Sequence, residues 1–311
     1  MTTVSSLGVM LTRYDAAALP GAFDMLEAAG AAHVEINPAL LHAIVNGRPH
    51  TPVVNQIVAA LQGRPLGVVL HAPLSLNLMD DTNAAIQRSV GEASLEIAAA
   101  LGARRMVVHP GWIETSRLRL ERDALMARER DGLRALGDVA ASAGVTLCLE
   151  NMPTNEDYAD GSLINHGLDC RSVAAQVAAV DHPNVAATID VSHAYIASRC
   201  QGFTLTDQLC ALAPVTRHMH LHDSFGKVPT LPRPRAGETL AYGMGDLHLP
   251  LGWGDLPWET ALTGLPLPDE VSLTLEITPR YATAETLADS VTRARALAAR
   301  LTGTARRAAA E

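Results

Sequence analysis

Val185-Ala-Ala-Thr-Ile-Asp-Val-Ser-His193 is an apolar, β-type run that delivers a carboxylate, Asp190, and three residues later an imidazole, His193. At the exit of a buried strand such a pair reads as metal ligands, although a lone D-x-x-H is more often a hydrogen-bonded structural pair. The pattern recurs. Val68-Val-Leu-His71, Met106-Val-Val-His109, Leu147-Cys-Leu-Glu150, Met219-His220 and Leu273-Thr-Leu-Glu276 are further apolar runs ending on His or Glu. Strands are expected over 7–11, 33–37, 66–71, 105–109, 146–150, 185–190, 217–223 and 272–277. Amphipathic helical segments lie between them, at 19–29, 53–61, 82–101, 118–141, 171–179 and near 205–212, with 284–301 closing the chain.

Strict alternation of β and α units demands a parallel sheet, because a parallel crossover needs an intervening helix. A doubly wound sheet would carry a Gly-rich phosphate loop after its first strand, and Leu11-Thr-Arg-Tyr-Asp15 has none. The fold class is therefore α/β, a single (β/α)8 TIM barrel over residues 1–302 with the site at the C-terminal face of the strands, and 303–311 form a frayed tail. Side-chain parity supports this. With Glu150 inward, Cys148 and Thr146 follow it, and Leu147 and Leu149 face the helices; Glu276 and Thr274 are likewise inward. The same parity sends His71, His109, Asp190, and His220 with His218 and His222, into the barrel. Aliphatic residues would normally fill these upper inward positions, so polar ones mark a site.

Composition bounds the function. The chain has 311 residues, 48% hydrophobic and 18% charged, with a net charge of −9. That balance disfavours a broad basic footprint for nucleic acid. No apolar stretch approaches the ~20 residues needed to cross a bilayer, so no membrane partner is expected. Met1-Thr-Thr-Val-Ser-Ser lacks the flank and apolar region of a signal peptide, which gives a cytoplasmic expectation. Cys148, Cys170, Cys200 and Cys210 form no C-x-x-C pair and read as reduced thiols. His42, His50, His166 and His182 are expected on loops or the surface, and Arg117 to Arg134 as a solvated helix face.

One more pair, Asp246 and His248, lies in Gly245-Asp-Leu-His-Leu-Pro-Leu-Gly-Trp-Gly254 and can reach one ion from an extended loop. The candidate metal set is then His71, His109, Glu150, Asp190, His193, His220, Asp246, His248 and Glu276, more than one ion can use. On His71-Ala-Pro, Val108-His-Pro-Gly111, Leu149-Glu-Asn151, Ile189-Asp-Val-Ser-His-Ala194, Met219-His-Leu-His-Asp223, Asp246-Leu-His248 with Gly252-Trp-Gly254, and Leu275-Glu276, the chain resembles the xylose isomerase-like barrel superfamily. That group includes endonuclease IV (AP endonuclease family 2) and sugar-phosphate isomerases and epimerases.

Resemblance to the nuclease implies three zinc ions: one on His71, His109 and Glu150, a second on Glu150, Asp190, His220 and Glu276, and a third on His193, Asp246 and His248. Resemblance to the epimerases implies only the second, with Glu150 and Glu276 as an acid/base pair. Leu74 and Ser75 follow His71-Ala-Pro where the nuclease carries an aromatic wedge, and His222 stands where it has Asn; no basic, aromatic-interleaved DNA loop appears.

The function expected is thus a divalent-metal-dependent isomerase or epimerase of a small-molecule carbohydrate or sugar phosphate. It would use one to three ions, zinc or manganese before magnesium or cobalt, and a homo-oligomer is compatible with it. Glu150 and Glu276 would be catalytic. A multinuclear zinc phosphoesterase is the alternative, and a non-catalytic metal- or ligand-binding barrel comes third. Arg280, or the loop bearing Lys227, Arg233 and Arg235 as a lid, would hold a distal phosphate or carboxylate. Trp112 and Trp253 would wall the substrate, Glu35 would face it, and His222 would touch substrate or support a ligand.

Overall fold

A computed structural model describes residues 2–154, 161–228, 230 and 238–308. Eight parallel strands close into a barrel in chain order: β1 (Thr3–Met10), β2 (His33–Ile36), β3 (Gly67–His71), β4 (Arg105–Val108), β5 (Thr146–Glu150), β6 (Val185–Asp190), β7 (Thr216–Leu221) and β8 (Glu270–Leu275), which pairs back with β1. The described helices are α1 (Leu19–Ala28), α2 (Thr51–Leu61), α3 (Ala84–Ala100), α4 (Thr115–Ala143), α5 (Cys170–Val180), α6 (Val191–Gln201), α7 (Leu205–Leu212), α8 (Glu238–Tyr242), α9 (Trp258–Leu262) and α10 (Ala284–Ala308).

The outward strand positions make the apolar layer against the helices: Leu70, Met106, Leu147, Ile189, Met219, Leu273 and Leu275 are wholly buried there. Sequence expectation and structure part after β6. Instead of a loop leading to 205–212, α6 begins at once, because Asp190 caps it: the Asp190 side chain accepts the His193 N–H at 2.7 Å. The D-x-x-H spacing is therefore an N-cap geometry as well as a ligand spacing.

One more expectation fails behind the barrel wall. His166 is buried, not superficial, and pairs with Glu129 at 2.8 Å, while Gln176 donates to the same carboxylate at 2.7 Å. Glu129 sits on α4 among arginines that do face solvent, and one inward turn of a charged helix is invisible to composition. This pair ties α4 to the segment after β5, where Asn165 donates to Pro110 O and Met152 N–H donates to Gly167 O. Glu129→Ala, which strands a buried imidazole and an amide, is expected to cost about 3 kcal/mol of stability in urea denaturation.

The lower barrel is polar too. His33 bonds Thr274 Oγ1 at 2.9 Å, and its ring lies so close to β1 that a Cβ on Gly8 would come within 2.4 Å of it. Burial, and then the neighbouring His218, push His33 down to about 3 from the ordinary value near 6.5. The folded chain thus refuses a proton that the unfolded chain accepts, so this residue's contribution to stability is intact above pH ~6.5 and shrinks toward pH 3. Between pH 7 and pH 5 the parent should lose about 2 kcal/mol more than His33→Gln, read as the difference between their urea midpoints at the two values.

Candidate metal centre

The upper inward positions carry the donors. β6 and β7 set Asp190 beside His220, and β5 sets Glu150 beside Thr188, two residues below Asp190 on the tilted sheet. Glu150, Asp190 and His220 have no solvent exposure, and Glu276, just past β8, has 4%. His220 Nδ1 lies 3.1 Å from Glu150 Oε1, 3.4 Å from Glu276 Oε2 and 3.9 Å from Asp190 Oδ2. These four side chains form one group able to hold an ion. Glu150 is shared with a second group, His71 and His109, whose Nε2 atoms stand 3.8 and 3.1 Å from its Oε2.

A third group gathers over the barrel mouth. Asp246 Oδ2 lies 2.9 Å from His248 Nε2 and 3.2 Å from His193 Nε2. His222 joins it, stacked on His248 with ring centroids 3.9 Å apart and its Nε2 3.0 Å from Asp190 Oδ2. The nine residues named as candidate donors are thus gathered into three groups of side chains, and His222 stands in the third with them.

The loop bearing Asp246 and His248 is held by Asp223, whose carboxylate accepts the N–H groups of Ser224 and Gly252. Gly254 packs so tightly beneath it that a Cβ would meet Ser224 O at 2.2 Å, which accounts for the Gly-Trp-Gly sequence. His248 is held at φ 45°, a left-handed conformation uncommon for a residue with a side chain.

The donor chemistry fits a cation. His71, His193 and His248 each place Nδ1 within 3.0 Å of a main-chain carbonyl, those of Ala72, Asn151 and Glu276. An Nδ1–H donated there leaves the Nε2 lone pair facing the site, the tautomer that metal-binding histidines need. Asp246 Oδ1 is buried without a hydrogen-bond partner. Burial alone would raise the Glu150 carboxyl, but His220, with His109 and His193 behind it, holds it well below the ordinary range. Asp246 is likewise held low against burial by His248 and His193. With no ion bound, protonated imidazole balances the anionic oxygen of the centre, and a cation would take over that role and leave the rings neutral as ligands.

The remaining expected residues sort differently. Glu35 is fully buried, its carboxylate within hydrogen-bond distance of His218 and His220 and close to His71 and Glu276. Trp253 is half-exposed beside Tyr281, with centroids 5.5 Å apart, and Trp112 is partly buried next to His-Pro-Gly. Lys227 donates to Tyr242 O at 3.2 Å, and Arg280 is exposed on the turn after β8. Arg233 and Arg235, with the centre of the expected lid, lie outside the described residues. Tyr14 is an addition: it follows β1, and burial, then Glu276 and Glu35, push its phenol up. A lone Tyr in an unpatterned loop gives the sequence nothing to flag.

The family described as Xylose isomerase-like TIM barrel matches residues 23–297. No curated protein sequence matches. Among solved structures, a D-tagatose 3-epimerase-like protein is 18% identical with a TM-score of 0.71, over 96% of this chain and 99% of that one. The 3-keto-D-glucoside 4-epimerase YcjR from E. coli is 18% identical with a TM-score of 0.64, over 94% and 99%. The TTHB071 protein from Thermus thermophilus, soaked with ZnCl2, is 21% identical with a TM-score of 0.62, over 93% and 98%. Among the described residues no helix is long and apolar enough to cross a membrane.

Proposed function

The chain belongs to the xylose isomerase-like TIM barrel family, and from that premise we propose that it is a metal-dependent sugar isomerase or epimerase acting on a carbon next to a carbonyl. The observation that carries the reading is the placement of Glu150 and Glu276, which approach the His220 Nδ1 position at 3.1 and 3.4 Å with Asp190 completing the set. Solved sugar epimerases superpose on nearly the whole chain, which is consistent with it.

Glu150, Asp190, His220 and Glu276 would hold a divalent cation. Bound there, it would supply the Lewis acidity that makes a C–H beside a carbonyl easier to deprotonate. Glu276 takes that proton as general base while Glu150, having first drawn a proton from solvent, delivers it to the opposite face of the carbon; exchange with solvent after turnover resets both, and the reverse reaction swaps the two roles. His193, whose Nε2 faces the same space, hydrogen-bonds a substrate hydroxyl. Trp253 and Tyr281 offer aromatic faces at the mouth to the C–H side of a sugar.

Incubating the purified protein with a panel of ketoses in D₂O tests this: deuterium should enter at the carbon beside the carbonyl, and its absence across the panel would count against proton transfer. A second reading, a multinuclear phosphoesterase, is favoured by one observation, the assembly of the two further donor groups around His71 and His248. Zinc content near three per chain, together with release of phosphate from phosphoesters, would move the assignment there.

A further inference from the structure

Beneath the donors runs a chain of hydrogen bonds that the proposed chemistry leaves unused. Ser272 Oγ stands 2.6 Å from His218 Nδ1, His218 Nε2 stands 3.1 Å from Glu35 Oε2, and Glu35 Oε1 stands 3.0 Å from His220 Nε2. Every member is fully buried. We infer that Glu35 is a positioning residue that decides which nitrogen of His220 carries the fixed proton, so that Nδ1 is the atom offered to an ion.

The argument is one of donor polarity. An ionised carboxylate can only accept, so both rings that touch it must donate Nε2–H. Each Glu35 oxygen is met by one of these rings, Oε2 by His218 and Oε1 by His220, the pattern of a carboxylate that accepts on both sides. His218 Nδ1 then accepts the Ser272 O–H, and His220 Nδ1 is left facing Glu150, Glu276 and Asp190. A buried carboxylate behind a histidine both orients the ring and raises its basicity as a ligand. The inference rests on the reading above only in taking His220 as a donor to the ion.

A set of variants separates this role from simple packing. Glu35→Leu removes the acceptor and should weaken binding of Mn²⁺ or Zn²⁺, measured by competition with a chelator, about 10- to 100-fold. Glu35→Gln alone should do little, because His218 can shift its proton to Nδ1, donate it to Ser272 Oγ and accept from the new amide N–H. Ser272→Ala alone should also do little. Combined, they close that escape, and His220 must turn its own tautomer over, so Glu35→Gln with Ser272→Ala should weaken binding by about tenfold or more.

Additive effects in the double variant, or undiminished affinity in Glu35→Leu, would overturn the inference. Should Glu35→Leu not fold, the Gln and Ala cycle still decides. In metal-free protein, the strongly hydrogen-bonded N–H protons of His218 and His220 should appear far downfield by NMR and lose that shift in Glu35→Leu; their absence from the parent would equally overturn it. Neither readout involves turnover, so a protein that epimerises nothing could still confirm it.

Discussion

Glu276→Gln is expected to lower deuterium incorporation and epimerisation by a factor of about 10² to 10⁴, the usual contribution of a general acid or base, while leaving the ion in place. The carboxamide keeps the volume of the side chain and one oxygen donor, and the other three members of the set, Glu150, Asp190 and His220, are untouched. Its amide cannot take up a proton, so kcat should fall far more than KM rises. Glu150→Gln should differ in kind. Glu150 meets His109, His193 and His220 at 3.1, 3.2 and 3.1 Å and is shared by two donor groups, so the variant should lose metal together with activity. Elemental analysis beside a D₂O exchange assay separates the two outcomes. Full exchange by Glu276→Gln would remove this residue from the chemistry.

Stripping the protein with a chelator should abolish turnover and lower thermal stability together. Glu150, Asp190, Asp246 and Glu276 lie within one small, mostly buried volume. Their mutual repulsion is relieved in part by histidine, and a divalent cation would relieve it further. An ion present at about a thousandfold excess over its dissociation constant stabilises the native state by about 4 kcal/mol, which in a barrel of this size raises Tm by roughly 6 °C. Titrating the stripped protein back distinguishes the two functional readings. Activity restored by one equivalent of manganese, cobalt or magnesium fits proton transfer on a single ion, whereas a requirement for three zinc ions fits phosphoester hydrolysis. A melting temperature indifferent to every divalent ion tried would refute a metal centre altogether.

Much of this is legible in the sequence because parallel strands impose a common direction. Once Leu147-Cys-Leu-Glu150 and Leu273-Thr-Leu-Glu276 are taken as strands, parity alone sends both glutamates inward at the same end, and the structure puts them around one imidazole. What escapes is whatever depends on a neighbour far away in the chain. Glu35 has the right parity to reach a substrate, but only the closed barrel shows that His218 and His220, more than 180 residues on, occupy its oxygens. His166 looks like an ordinary loop residue until Glu129 is seen turned inward from a helix rich in arginine. His222 reads in the sequence as a substrate contact or as support for a ligand, and its membership of the third donor group depends on the fold of the loop that brings Asp246 and His248 back over the mouth. The helix at Val191–Gln201 escapes because a carboxylate assigned to an ion also serves as a cap.

The donors come from six of the eight staves, from His71 near one end of the polypeptide to Glu276 near the other. The set proposed for catalysis draws on four neighbouring strands, and Glu150 and Glu276, far apart in the chain, meet at one imidazole only when those strands stand side by side. A cation held by all four side chains gains its full grip only once β5 to β8 have come together. Bound there, it would retard opening and leave the speed of assembly unchanged, a clasp that lengthens the native lifetime without shortening the route to it.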